Sequence, residues 1–224
     1  RSLREGGADV IAYDVKPAAR DAAAAAGAKI VDPQEWPWGA LAALVLSPGV
    51  PLTHPAPHPV VRKAQSASVP IIGDIELFAL SIGHLAIDRQ GARIRPAIAA
   101  ITGTNGKSTT TALLGHLLAR TGLTVHVGGN IGKAVLELDP PTENSAYVLE
   151  LSSYQIDLTR SLRPNVAALL NISADHLDRH GTLENYARVK ARLLYNVGKN
   201  GTAVIGIDGP QTEAIFTELY AKNG

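Results

Sequence analysis

Between Ala97 and Leu118 the chain passes from an apolar run (Ala97 to Ile101) through Thr102-Gly103-Thr104-Asn105-Gly106-Lys107-Ser108-Thr109 into a helical pattern carrying Leu113, Leu114, Leu117 and Leu118. A buried strand, a glycine turn and a helix in that order form the first half of a crossover between parallel strands. The turn also has a chemistry. Its glycines let the backbone wrap close to a polyphosphate, its amides and the helix N-terminus supply partial positive charge, Lys107 adds a full one, and Ser108 offers a hydroxyl to Mg2+. Gly103, Thr104, Asn105, Gly106, Lys107, Ser108 and Thr109 are therefore the predicted nucleoside triphosphate loop. The pattern G-x-x-x-x-G-K-[ST] would begin with a glycine at position 101, where Ile101 stands, so the loop is a shortened variant. A plain connecting turn would account for Gly103 and Gly106 but not for Lys-Ser at the helix start after a buried strand.

The 224 residues suit one large or two modest domains, and two are expected. With 21 basic against 20 acidic side chains the net charge is +1, so no broad field favours nucleic acid or a membrane surface, and any anion is held by local geometry. There is no cysteine, which excludes disulfides and thiolate-bound zinc. No apolar run approaches the roughly 18 residues of a membrane span. A reducing cytoplasm is the expected compartment. The opening Arg1-Ser2-Leu3-Arg4-Glu5-Gly6-Gly7 reads as the tail of a helix, and the chain as a fragment.

Short apolar runs alternate with helical stretches. Strands are expected at residues 9–13, 29–31, 41–46 and 69–72, with an alanine-rich helix over 17–26 and another from Asp74 to about Leu85, whose first turn is suited by Asp74 and Glu76. Ser47-Pro48-Gly49-Val50-Pro51 follows a strand directly, where ligands of open α/β sheets gather. The polar stretch Asp88 to Arg95 is the expected boundary. Beyond it strands are expected at 97–102, 124–127, 146–151, 166–171 and 202–207, with helices over 107–121, 183–196 and from Pro210. Several of these strands are apolar throughout, as a sheet covered on both faces requires. The fold class is thus α/β: an incomplete Rossmann-like domain over 1–92, then an incomplete doubly wound P-loop ATPase-type domain over 93–224.

Three further features carry chemistry. Glu150 ends the strand Tyr147-Val148-Leu149-Glu150-Leu151, where a buried carboxylate needs either an arginine or turn amides, or a Mg2+ beside the phosphate loop; Lys107-Ser108 upstream favours metal. Asn171-Ile172-Ser173-Ala174-Asp175-His176-Leu177-Asp178-Arg179-His180 follows another buried strand and so lies on the same rim, suited to phosphate, metal and proton handling or simply to solvent. Lys190 lies i+4 from Tyr186 and three and four residues before Leu193 and Leu194, on the apolar stripe of its helix. A lysine there snorkels, finds an anion or loses its charge. Gly128-Gly129-Asn130-Ile131-Gly132 can bring backbone and one amide side chain close to a ligand. His54, His58, His84, His116 and His126 show no metal-ligand spacing and read as surface or core.

Together these motifs resemble the Mur ligase family over nearly the whole chain. Gly103-Thr104-Asn105-Gly106-Lys107-Ser108 is similar to the family's own short phosphate loop. Leu46-Ser47-Pro48-Gly49-Val50-Pro51, Gly73-Asp74-Ile75-Glu76-Leu77-Phe78, Gly128-Gly129-Asn130-Ile131-Gly132, Glu150-Leu151-Ser152-Ser153-Tyr154-Gln155 and Asp175-His176-Leu177-Asp178-Arg179-His180 resemble the member that adds D-glutamate. The resemblance implies that ATP phosphorylates the carboxylate of UDP-N-acetylmuramoyl-L-alanine and that the amine of D-glutamate displaces phosphate, in peptidoglycan precursor synthesis by a monomer. It implies catalytic roles for Lys107, His176 and Lys190. It places one Mg2+ at Ser108 and Glu150, a second at His176 and a Lys190 carbamylated by CO2, and substrate contacts at Asp14, Lys16, Ser47, Gly49, Asn130 and His176. The family's first glycine-rich turn and its C-terminal domain have no counterpart in the sequence, so ligation by this chain alone is not expected. A sibling ligase of the Mur or folylpolyglutamate type and a non-catalytic nucleotide-binding module are the competing expectations.

Overall fold

The computed structural model describes residues 2–85, 96–198 and 200–223, and the expected boundary at Asp88 to Arg95 lies outside them. By contacts the chain divides into two compact units, Arg1–Leu44 with Pro59–Ile71, and Val45–His58 with Ile72–Gly224.

In the first unit, α1 (Ser2–Glu5) precedes β1 (Ile11–Ala12), α2 (Pro17–Ala25) and β2 (Lys29–Ile30), with β1 and β2 paired in parallel. Residue runs that read as strands of three to six residues contribute ladders of two, because each strand has a single partner and little apolar cover; no residue of β1, β2 or α2 is fully buried. β3 (Leu44–Val45) and β4 (Ile71–Ile72) form a second two-stranded pair. Between them α3 (Pro59–Ser66) buries Val61 and Ala64. Its sequence signature is Pro59 at the first helical position, where a missing amide costs nothing, followed by Val60, Val61 and Ala64 at helical spacing. The prolines at 51, 55 and 57 disguise it as loop.

The second unit opens with α4 (Asp74–Leu85) and then builds one sheet from β5 (Ala97–Thr102), β6 (Thr124–Gly129), β7 (Ser145–Glu150), β8 (Val166–Leu169) and β9 (Thr202–Ile205). The order is β6-β7-β5-β8-β9, and every pair is parallel. The helices are α5 (Lys107–Ala119), α6 (Ser153–Asp157), α7 (Leu177–His180), α8 (Leu183–Tyr195) and α9 (Pro210–Asn223). All six residues of β7 are buried, which explains why Ala146-Tyr147-Val148-Leu149 carries no polar alternation. Ile98, Ala100, Tyr147, Leu149, Ala167 and Leu169 of the sheet share one apolar core with Phe78 of α4 and Leu193 and Leu194 of α8. Burying a side chain of this size is worth roughly 1.5–3 kcal/mol. Glu76 does more than begin α4. Its buried carboxylate accepts from the Arg160 and Ser161 amides at 2.6 and 2.9 Å and from the Ser161 hydroxyl, which ties α4 to the turn after α6. Burial pushes that carboxyl up, but the three donors outweigh it and its pKa is lowered.

Candidate active site

β6 and β7 lie on one side of β5, and β8 and β9 on the other, so the C-terminal end of β5 is the point at which the sheet reverses its winding. The loop Gly103–Gly106 leaves the sheet there. Gly106 caps α5 with φ of 81°, a left-handed conformation that suits glycine. Asn171, just past β8, grips the loop from the side: its Oδ1 accepts from the Asn105 amide at 2.9 Å and its Nδ2 donates to the Asn105 carbonyl at 3.1 Å. Thr104 is held too, its amide donating to the Asn171 carbonyl at 3.0 Å while its Oγ1 accepts from the Ser173 amide at 3.0 Å and lies 3.3 Å from Tyr186 OH. Ser108 and Thr109 occupy the exposed first turn of α5.

Two ammonium groups address this loop from different helices. Lys107 is half-buried and reaches back to the Thr104 carbonyl at 2.8 Å. Lys190, 1% exposed, does not snorkel: from the inner face of α8 its Nζ donates to the Gly103 carbonyl at 2.9 Å and to Thr102 Oγ1 at 3.2 Å, and lies 4.7 Å from the centre of the Tyr186 ring. Burial, reinforced by the charge of Lys107 and partly offset by Asp175 and Glu150, brings its pKa down to about 7.

Glu150 closes β7 beside Ile101 and is buried. Asn130 Nδ2 donates to its Oε1 at 2.8 Å, whereas its Oε2 is buried with no hydrogen-bond partner. An unpartnered buried carboxylate oxygen is costly and is relieved by a cation. Gly129 makes the approach of Asn130 possible: at φ of 100° its backbone lies so close to β7 that a Cβ would sit 2.4 Å from the Glu150 carbonyl. Among the described residues no three His, Cys, Asp or Glu side chains gather into a metal-binding group. The unpartnered oxygen of Glu150 is the feature here that fits Mg2+, which takes one or two carboxylates and fills its shell from hydroxyls, phosphates and water.

His176 stands before α7 in a left-handed conformation, φ 53°, with Nε2 3.4 Å from Asp175 Oδ2 and its ring 5.0 Å from that of Tyr154 and 6.3 Å from that of Tyr186. His180 lies behind it, buried and bonded through Nε2 to Ser153 Oγ at 2.9 Å. Its pKa is down to about 4, through burial first and then through the neighbouring charges of Lys190, His176, Arg179 and His54. Ser47 and Gly49 belong to the second unit and are exposed. Asp14 and Lys16 belong to the first, at the exposed end of β1, where Asp14 Oδ1 accepts from the Lys16 amide at 2.8 Å. The described part of the site thus joins Lys107, Glu150, Asn130 and Lys190 around one turn, with His176 linked to it through Tyr186.

Three features are only partly legible in the sequence. Asn171 opened a polar block without being distinguished within it, although an asparagine directly after a buried strand is placed to cap a neighbouring loop. The stretch Ser152–Gln155 reads as a turn but is the N-terminus of α6, where Ser152 and Gln155 form a reciprocal capping box, a pattern visible as S-x-x-Q. The block ending at His180 reads as loop, and its last four residues form α7.

A parallel sheet with a glycine and Lys-Ser turn after its central strand defines the P-loop ATPase-like class of α/β fold. Residues 101–223 match the Mur ligase middle domain, and the chain belongs to the Mur ligase family. It is 54% identical over 223 residues to the UDP-N-acetylmuramoylalanine–D-glutamate ligase of Caulobacter vibrioides (strain NA1000 / CB15N), covering all of this chain and 46% of that protein. The enzyme of the same name from Phenylobacterium zucineum (strain HLK1) is 53% identical over the same length. The chain thus spans about half the length of these curated relatives. A solved UDP-N-acetylmuramate:L-alanyl-gamma-D-glutamyl-meso-diaminopimelate ligase from Neisseria meningitides superposes with a TM-score of 0.59 at 18% identity, over 96% of this chain and 69% of that one, a likeness of fold.

Proposed function

We propose that this chain forms the substrate-binding and ATP-binding parts of a monomeric cytoplasmic ligase that adds D-glutamate to UDP-N-acetylmuramoyl-L-alanine. The single observation that carries the reading is the meeting of two lysines on one phosphate-type turn, Lys107 at Thr104 and Lys190 at Gly103, beside a buried carboxylate with one oxygen unpartnered. In the first step a carboxylate oxygen of the UDP compound attacks the γ-phosphorus of ATP, forming the acyl phosphate and releasing ADP. In the second the D-glutamate amine attacks the acyl carbon, the carbon–oxygen bond to phosphate breaks, and the amine proton is lost to give amide and inorganic phosphate. Phosphorylation supplies the leaving group that a carboxylate lacks.

On this reading Gly103–Thr109 holds the triphosphate, and Lys107 steadies the β/γ oxygens as charge moves between them. Ser108 and Glu150 would hold one Mg2+, and His176 with Lys190 a second, which would supply positive charge to the phosphates. Burial of the Lys190 amine, with its pKa brought near 7, suits conversion to the carbamate by CO2, which replaces a cation by an anion. Asn130 holds Glu150 by one oxygen and leaves the other for the cation, and also contacts the UDP compound. Residues 1–92, with Asp14, Lys16, Ser47 and Gly49, hold that substrate, and residues 93–224 the nucleotide. In a protein of the full length of its relatives, hydroxylamine added with ATP, Mg2+ and the UDP compound should trap a hydroxamate. Nucleotide binding without hydroxamate would reject the ligase in favour of a non-catalytic module.

A further inference from the structure

Beyond the residues assigned above, we infer that Arg179 is a positioning residue that locks the substrate turn at Ser47–Val50 onto the segment carrying His176. The inference rests on the proposed role of that turn.

Within the second unit the guanidinium of Arg179 is spent on three successive carbonyls of one turn: Nη1 donates to Gly49 at 2.7 Å, and Nη2 to Val50 at 2.8 Å and Pro48 at 3.3 Å. No other side chain of the described residues makes such a set of contacts to this turn. The fork of an arginine can reach several acceptors at once in fixed geometry, which an ammonium cannot copy. The other face of the guanidinium lies 4.8 Å from the centre of the Tyr154 ring, so the side chain is held from both sides.

Two residues further on, the chain touches the same loop again. Gly181, at φ 78°, lies so close to His54 that a Cβ would stand 2.7 Å from its Nε2. A shallow groove of about 10 Å³ lies among Val50, Leu52, Tyr154, Leu158 and Arg179. The turn closes on itself by the Val50 amide donating to the Ser47 carbonyl at 2.9 Å. Its only polar tie to the His176 segment among the described hydrogen bonds is Arg179. Arg179 therefore fixes the distance between the turn at Ser47–Val50 and the segment carrying His176, acting through the turn it holds.

The test uses Arg179→Lys and Arg179→Ala in a protein of the relatives' full length. Calorimetry with a non-hydrolysable ATP analogue and Mg2+ should give affinities within about twofold of the parent, because the loop around Gly103 is held by Asn171 and not by Arg179. Affinity for UDP-N-acetylmuramoyl-L-alanine should fall about tenfold or more in both variants, the lysine failing to rescue because it lacks the fork. Hydrogen exchange at the amides from Val50 to Thr53 should accelerate in parallel. Unchanged affinity for the UDP compound in the alanine variant would overturn the inference, as would equal losses for both ligands, which would mark Arg179 as a folding residue only. Failure of the parent protein itself to take up the UDP compound would instead strike the functional reading on which the inference stands.

Discussion

Lys107 and Lys190 carry the same amine to the same turn, yet they sit in different worlds. Lys107 comes from the start of α5, half in solvent, and rests on a carbonyl of its own loop. Lys190 comes from the middle of α8, sealed among Tyr186, Ala187, Ala191 and Leu194, and no carboxylate lies within salt-bridge distance of it among the described residues. A lysine at a loop can follow a moving phosphate. One in a core cannot move, and its surroundings act on its charge instead. Depth rather than residue type separates the two, and on the proposed function it makes Lys107 the mobile counter-charge and Lys190 the reactive amine.

The largest effect that could break this contrast is catalytic. In a protein of the relatives' length, Lys107→Met and Lys190→Met should each lower ligation on the order of a thousandfold, but only the first should weaken binding of an ATP analogue strongly. Equal loss of nucleotide affinity in both would erase the distinction.

The next effect is on stability. The folded pKa of Lys190 is about 7 against 10.5 unperturbed, so the unfolded chain binds more protons between those values. Stability from this group is therefore full above pH 10.5 and is lost as pH falls towards 7, by on the order of 4–5 kcal/mol. The melting temperature of the parent protein, measured against Lys190→Met from pH 7 to 10, should rise relative to the variant, and Lys107→Met should not change that slope.

His180 sharpens the same point with a smaller effect. Its pKa of about 4 lies below the ordinary 6.5, because burial and the nearby Lys190 and Arg179 resist a further cation. The unfolded chain takes up that proton first as pH falls from 6.5 to 4, and the fold loses on the order of 2 kcal/mol over that window. Thermal melts of His180→Gln should be flatter across it. The smallest effect belongs to Asn171→Ala, which frees the Asn105 amide and carbonyl. It should weaken nucleotide binding by about 1–2 kcal/mol in calorimetry while leaving the exchange of β5 amides unaltered.

How much of this could be seen in the sequence depends on the range of the forces involved. β5, its turn and α5 are written in one contiguous stretch, because the apolar run, the glycines and the helical leucines act on near neighbours, and the expected strand at 97–102 has the observed bounds. Lys190 could be recognised as misplaced from the period of its own helix. Its partners could not: Gly103 and Thr102 lie more than eighty residues away, and only the packing of α8 on the sheet brings them together. Glu76 shows the same limit. Its position suits the first turn of α4, as expected, but the groups that satisfy it are Arg160 and Ser161. The first unit was legible in type and not in extent, since local apolar runs announce strands while the length of a ladder depends on a partner. α3 and α6 were missed for opposite reasons, one masked by prolines and the other because five residues leave little room for periodicity.

The order β6-β7-β5-β8-β9 has a consequence for biogenesis. The middle strand is made first. As the polypeptide emerges from the ribosome, Ala97–Thr102 waits with both edges open until Ser145–Glu150 arrives on one side and Val166–Leu169 on the other. At roughly 5–20 residues per second that wait lasts seconds, during which a sticky six-residue segment is available to any other open strand or to a chaperone. Nascent chains stalled just before Ser145 should therefore be the form of this polypeptide most prone to aggregate, and extension past Leu169 should protect them.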